Sequence, residues 1–295
     1  MLKNEISRRI VPELPPVDRR IRIVIDSDAA NEIDDLYAIA LAIHAPERFN
    51  IEGFVATHFA QHTGRRSIEQ SYEVLMELLT LAGKADDYPV VRGGDPLAYL
   101  DEPSDSDGAR LIIERAHAGR PDDPLWVLGL GAATNLASAL LIDPSIQSKV
   151  QYIYHARSEW SWPERSEQFN VGGDVRAARV LLESGVPLVW FDTGTQLTCA
   201  MEETEKRLLP LGGLPAFLHE YRYRSPKYQS ENKGFFDLGD IAWIMQPGVC
   251  RTEVVDVPRM DWKMVFSHQG DLGKMLRVYK VDPEPVWKLF FERLG

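Results

Sequence analysis

Residues 21–43, IRIVIDSDAANEIDDLYAIALAI, pass from a β-branched run through a cluster of acids into an apolar stretch. IRIVID has the composition of a buried strand, apolar on both faces. Ile33, Leu36, Tyr37, Ala40 and Ile43 recur at helical spacing. The same strand-then-helix alternation continues along the chain. FNIEGFVATHF, YPVVRG, PLWVLGL, VQYIYHA and VPLVWFD predict five more strands. The intervening helices are SIEQSYEVLMELLTLAG, stopped by Gly83, GARLIIERAHAG, ending at Gly119, TNLASALLIDP, and DVRAARVLLESG, which Asp174 can cap. Six strands alternating with helices predict an α/β fold with a largely parallel central sheet and helices on both faces. After about residue 200 the pattern turns mostly helical, and CRTEVVDVPRM to LRVYKVD read as strands closing one edge. Residues 1–20 are polar and Pro-rich and read as an N-terminal arm. Residues 21–295 hold no linker and read as a single domain. In open α/β sheets, ligands bind beyond the carboxyl ends of the strands, so the chemistry is sought there.

The 295 residues are 44% hydrophobic and 26% charged, the balance of a soluble globular protein. No apolar run approaches the roughly 18 residues that would span a bilayer, so no membrane partner is expected. The first residues carry no secretory pattern. The net charge of −11 and the absence of a basic run argue against a nucleic-acid partner. Two cysteines, Cys199 and Cys250, make no disulfide framework and suit a reducing cytoplasm.

Five carboxylates, Asp26, Asp28, Glu32, Asp34 and Asp35, fall within ten residues between the first strand and its helix. Carboxylates this close repel, so either some take up protons or a cation neutralises them. An all-oxygen donor set favours Ca²⁺ or Mg²⁺ over zinc. Local structure offers a competing account. Asn31 can cap the helix with Asp34 completing a capping box, and acids are favourable at a helix N-terminus. Capping explains Asp34 and leaves Asp28 and Asp35 without a role. Two other segments resemble metal sites. His58 and His62 have the spacing of a zinc pair but lie in a loop without a third soft ligand. Ser104 to Gly108 resembles a calcium loop but reads more simply as a polar turn capping the next helix.

DSDAANEIDDLYAIALA resembles the N-terminal signature of the inosine–uridine-preferring nucleoside hydrolases, with two extra residues between the DxD and the DD. VVRGGDPL, LGLGAATNLASALLIDP, EQFNVGGDVRAARVLL, VPLVWFDTGTQLT and DLGDIAWIMQP resemble further segments of that family, in order, over roughly residues 21–250. The resemblance implies a nucleoside-hydrolase-like fold and hydrolysis of the N-glycosidic bond of a ribonucleoside or related N-ribosyl compound. It implies one Ca²⁺, held by Asp28, Asp35, Asp240 and the main-chain carbonyl of Leu130. Asp28 would also be the general base for the attacking water. Asp34 and Asn170 would hold ribose hydroxyls, with Asp240 close to the substrate. Gln168 stands where the family has a Glu, beside Glu167, and either can face a 5′-hydroxyl. Gly239 stands where many members have a His that protonates the leaving base. His58 can compensate for a missing ribose contact, and Trp160 can stack on a base at the pocket mouth. The resemblance also implies a homo-oligomer, a dimer or tetramer. The departures keep two alternatives open: a catalytically impaired nucleoside- or sugar-binding protein, and a hydrolase of a non-nucleoside glycoside.

Overall fold

The computed structural model describes residues 9–120 and 122–295. Part of the expected N-terminal arm, residues 1–8, lies outside the described residues. All six predicted strands form: β1 (Ile21–Ser27), β2 (Phe49–Ala56), β3 (Val90–Arg92), β4 (Leu125–Gly129), β5 (Val150–His155) and β6 (Leu188–Phe191). The late strands follow as β7 (Cys250–Asp256), β8 (Arg259–Met260), β9 (Phe266–Ser267) and β10 (Lys274–Val281). β8 and β9 pair as a small separate ribbon. The other eight form one sheet in the order β3-β2-β1-β4-β5-β6-β10-β7. Every pairing is parallel except β10 with the edge strand β7.

The alternation of side chains along β1 explains the layers. Ile21, Ile23 and Ile25 enter one apolar cluster and Val24 the other. The first cluster packs the helices Asp34–Ile43, Arg66–Leu81, Leu238–Met245 and Pro283–Leu294 against one face. The second packs Asp107–Ala118, Thr134–Ile142 and Val175–Glu183 against the other. Polar caps fix several helix starts. Ser106 accepts from the Ala109 amide at 3.2 Å, so the polar turn at 104–108 is a cap. Asp174 accepts from Ala177 at 3.0 Å, as expected.

The helix Asp34–Ile43 differs from expectation in two ways. All ten residues are buried, not one stripe, because helices Leu238–Met245 and Pro283–Leu294 pack around it. Tyr37 stacks on Phe290 at 5.1 Å within that layer. Asn31 does not cap this helix. Ile33 occupies the cap position, and the Asn31 carboxamide pairs with His62 at 3.0 Å.

The strand order sets the place for a site. The chain runs outward from β1 through β2 to β3, then returns to β4 on the other side of β1. The order therefore reverses between β1 and β4, and a crevice opens at their carboxyl ends. The Leu130 amide donates to the Asp26 carbonyl at 2.7 Å and closes the base of that crevice. Across the molecule, buried Arg48 donates to the Ile244 carbonyl near the end of helix Leu238–Met245 at 2.9 Å. It also donates to the carbonyls of Pro15, Pro16 and Arg19 at 3.0, 2.6 and 2.6 Å. One guanidinium thus joins the arm segment to the helix whose other end reaches the crevice. Arg48→Ala leaves four carbonyls without that donor, and burial makes the loss costly. We expect destabilisation of about 2–4 kcal/mol, read as a lowered urea midpoint at unchanged m; a change within 0.5 kcal/mol would refute this account.

Candidate active site

Asp28 follows the last residue of β1 and turns into the crevice. Its neighbour across the gap is Gly131, where a Cβ would lie 3.1 Å from the Asp28 Cβ. A bare backbone at Gly131 is therefore what admits the Asp28 side chain. Asp26 is fully buried and acts as a tie. It accepts from Thr57 Oγ1 at 2.5 Å and from Asn135 Nδ2 at 2.8 Å. Asn135 also accepts from the Gly94 amide at 2.8 Å. The end of β1 and the loops after β2 and β3 are thus bound to the start of one helix.

A cleft of about 120 Å³ opens above this frame. Its lining includes Asp28, Asp34, Asp35, Asp237, the Leu130 main chain and Asn170. Asp34, Asp35 and Asp237 bring carboxylate oxygens within 4.8 Å of one another. Asp35 accepts from Ser27 Oγ at 2.5 Å. Asp28 Oδ2 is buried without any hydrogen-bond partner. Burial, then repulsion from Asp35 and Asp34, pushes the Asp28 carboxyl well above its usual range. Burial and the Asp34 charge push Asp35 up to about 8. Burial and the charge of Asp35 raise Asp237 well above the usual carboxylate range. Lys233 offers the nearby positive charge, at 3.4 Å from Asp34 and 2.9 Å from Glu32. It offsets Asp34 and leaves the other three acids facing one another. These are the conditions that a divalent cation with oxygen ligands relieves.

The placement of the sequence-predicted residues divides sharply. Asp28, Asp34, Asp35, Leu130, Gln168 and Asn170 all border the cleft. Asn170 Nδ2 donates to the Leu130 carbonyl at 2.5 Å and to the His155 carbonyl at 3.3 Å. Gln168 caps the helix Phe169–Gly173 through Oε1, which accepts from the Val171 amide at 3.1 Å. Asp240 lies one turn further along helix Leu238–Met245, where Oδ2 accepts from His155 Nδ1 at 2.7 Å, and it does not border the cleft. Burial outweighs the opposing effect of His155 and raises Asp240 to about 6. Three further residues are not brought to the cleft. His58 is buried on Thr134 Oγ1 at 2.7 Å, Glu167 points to solvent beside Arg165, and Trp160 is 75% exposed.

Asp237 and Phe236 line the cleft without a role in the sequence reading, and His155 and Arg157, which follow the fifth predicted strand where residues of the pocket mouth are expected, line it too. The signal for Asp237 was its place at the cap of the late helix. In DLGD both acids match an acid-then-helix pattern, and of the two it is Asp237 that borders the cleft. With Asp237 as the matching acid, the residue before it is Phe236, not Gly239. His155 had its signal in lying at the end of a predicted strand. Its Nε2 is buried and has no protein partner.

The sequence profile of the inosine-uridine preferring nucleoside hydrolases matches residues 23–287. The chain is 25% identical to the pyrimidine-specific ribonucleoside hydrolase RihA of Escherichia coli, over 78% of this chain and 81% of that one. It is 24% identical to an uncharacterized protein of Schizosaccharomyces pombe, over 93% of this chain and 99% of that one. The solved structure of a plant nucleoside hydrolase superposes with a TM-score of 0.73 at 18% identity, covering 94% of this chain and 99% of that one. At that identity the likeness shows a common fold, with the largely parallel sheet and flanking helices expected above. With a profile match over nearly its whole length, this chain belongs to the inosine-uridine preferring nucleoside hydrolase family and is an N-glycosyl hydrolase.

Proposed function

We propose that the protein hydrolyses the N-glycosidic bond of a ribonucleoside with the aid of Ca²⁺, and that Asp28 is its general base. The observation that carries this is the orphaned, buried Asp28 Oδ2 in an acid-lined cleft. A buried carboxylate oxygen without a donor is costly unless a cation or a reacting water meets it. Asp28, Asp35, Asp237 and the Leu130 carbonyl would hold the ion. We assign Asp237 in place of Asp240 because Asp237 borders the cleft beside Asp34 and Asp35 and Asp240 does not. Calcium fits the donor set because every assigned ligand atom is oxygen and Ca²⁺ tolerates irregular geometry. When bound, such an ion lowers the pKa of a coordinated water and fixes its place.

The chain's own residues do the rest. Asp28 accepts the proton of the attacking water as its oxygen bonds to the anomeric carbon of the ribose. The C–N bond breaks, and its electron pair leaves with the base. Charge develops on the sugar ring in an oxocarbenium-like state, which the surrounding carboxylates stabilise in a site of low dielectric. Asp34 accepts from ribose hydroxyls, and Lys233 and the Asp237 amide hold its carboxylate in place. Asn170, fixed by the Leu130 carbonyl, has its amide oxygen left to accept from a hydroxyl. Phe236 supplies no proton to the departing base. Its flat ring suits stacking. Free Cys199 and Cys250 accord with a reducing, cytoplasmic setting.

Asp28→Asn keeps the side-chain volume and removes the base, so kcat should fall by about 10²–10⁴ with the fold intact. A reducing-sugar assay on the calcium-loaded enzyme, beside a circular dichroism spectrum, reads both; undiminished turnover would remove Asp28 from the role. Protein treated with chelator should also show inverted pH behaviour. A carboxyl with a raised folded pKa holds its proton more tightly folded than unfolded. Its ionisation, from about pH 4 in the unfolded chain to about 8 for folded Asp35, therefore costs stability as the pH rises. The Tm without metal should fall between pH 5 and pH 8, and added Ca²⁺ should raise it more at pH 8 than at pH 5. A Tm unaffected by Ca²⁺ at both values would contradict the assigned cation.

A further inference from the structure

The wall of the cleft built from the segment after β5 differs in character from its floor. Every acid in the lining, namely Asp28, Glu32, Asp34, Asp35 and Asp237, comes from the segment after β1 or from the cap of the late helix. Glu32 is already paired with Lys227 at 2.8 Å and Lys233 at 2.9 Å. The segment after β5 instead contributes Arg157 and Gln168. Among the described residues no carboxylate lies within 4.0 Å of the Arg157 guanidinium. Its one side-chain hydrogen bond goes from Nη1 to Thr195 Oγ1 at 3.0 Å. Nε is buried without an acceptor. The guanidinium lies over the Phe236 ring at 4.1 Å, which steadies its plane and leaves its remaining N–H groups unused. The nearest acid in sequence, Glu159, acts on Asp192. Asp192 in turn is paired with Arg277 and accepts from the Ser158 amide, so the residue next to Arg157 is tied to the core.

Gln168 adds to this. Its Oε1 is committed to the Val171 amide, so the group left for a ligand is the Nε2 amino group, a donor. A glutamate in that cap would present a negative charge to the same cleft. In a chain of net charge −11, an unpaired guanidinium and an amide donor on a ligand cleft, with no acid of their own, form a built anion subsite. A neutral ribonucleoside offers hydroxyl and carbonyl acceptors but no negative charge to match the guanidinium.

We propose that the substrate of this cleft is an N-riboside bearing an anionic group, a phosphate or a carboxylate, bound by Arg157 with Gln168. This rests on the hydrolase reading of the same site and narrows it. A phosphate on the 5′ oxygen and a carboxylate on the base offer the same chemistry to a guanidinium, bidentate acceptance of its N–H groups.

The test compares uridine, uridine 5′-monophosphate and orotidine on the calcium-loaded enzyme. One of the two anionic compounds should exceed uridine in kcat/KM by roughly 10- to 100-fold, the worth of a charge-assisted hydrogen bond. Which one does so identifies the position of the charge. Arg157→Gln should bring that ratio close to one, and Arg157→Lys should retain part of it. Calorimetric titration of the Asp28→Asn enzyme with the same compounds reads recognition without turnover. Tighter binding of an anionic compound that is lost in the Asp28→Asn, Arg157→Gln double variant supports the subsite even where turnover fails, and turnover failure alone then counts against the hydrolase reading. Uridine bound and cleaved as well as either anion, or an equal loss for all three compounds in Arg157→Gln, would overturn the proposal.

Discussion

Three buried carboxylates without a lysine or arginine partner, Asp28, Asp35 and Asp237, meet in one cleft, and their mutual repulsion is the constraint around which the site is arranged. In a medium of low dielectric, like charges at such separations cannot all ionise without a counter-charge. The surrounding fold does not relax the conflict. Gly131 clears space for Asp28, Ser27 holds Asp35, and the Asp26–Thr57–Asn135 network locks the strand ends beneath them. Rigid elements therefore hold the acids together against their repulsion, which is the condition for binding a cation tightly.

The neighbouring charges are distributed so that this conflict stays local. Lys233 takes up Asp34 and Glu32, and Lys227 shares Glu32. His155 takes up Asp240, one turn along the helix from Asp237. Glu32, Asp34 and Asp240 thus each have a close basic partner, and of the three acids assigned to the ion only Asp237 has one, His155 Nδ1 at 3.4 Å. The wall from the segment after β5 has the opposite character, with donors and no acid. A cleft with acids on one side and an unpaired guanidinium on another can orient a ligand that carries both a hydroxylated sugar and a negative charge.

Much of the architecture was legible in the sequence for a physical reason. Parallel strands buried on both faces must be apolar throughout, so IRIVID, PLWVLGL and VPLVWF stand out, and helices between them follow from 3.6-residue periodicity. Asp174 and the polar turn before Asp107 were legible because caps act locally, between residues two or three apart. Asn31 was misread for the same reason: a local rule favoured capping, whereas His62, thirty-one residues away, competes for its side chain. Glu167 and Gln168 are adjacent and similar in sequence, yet the start of helix Phe169–Gly173 turns one to solvent and the other to the cleft.

The sequence by itself determined the strand–helix alternation, the acids after β1 and the family, because each is written in contiguous residues. The tertiary structure alone decided which late acid reaches those early ones. Asp237 caps the short helix whose first turn holds Asp240, yet only Asp237 borders the cleft. It also decided that Arg157 stands without an acid. Pairing depends on distances between segments remote in the chain, and no local pattern encodes them.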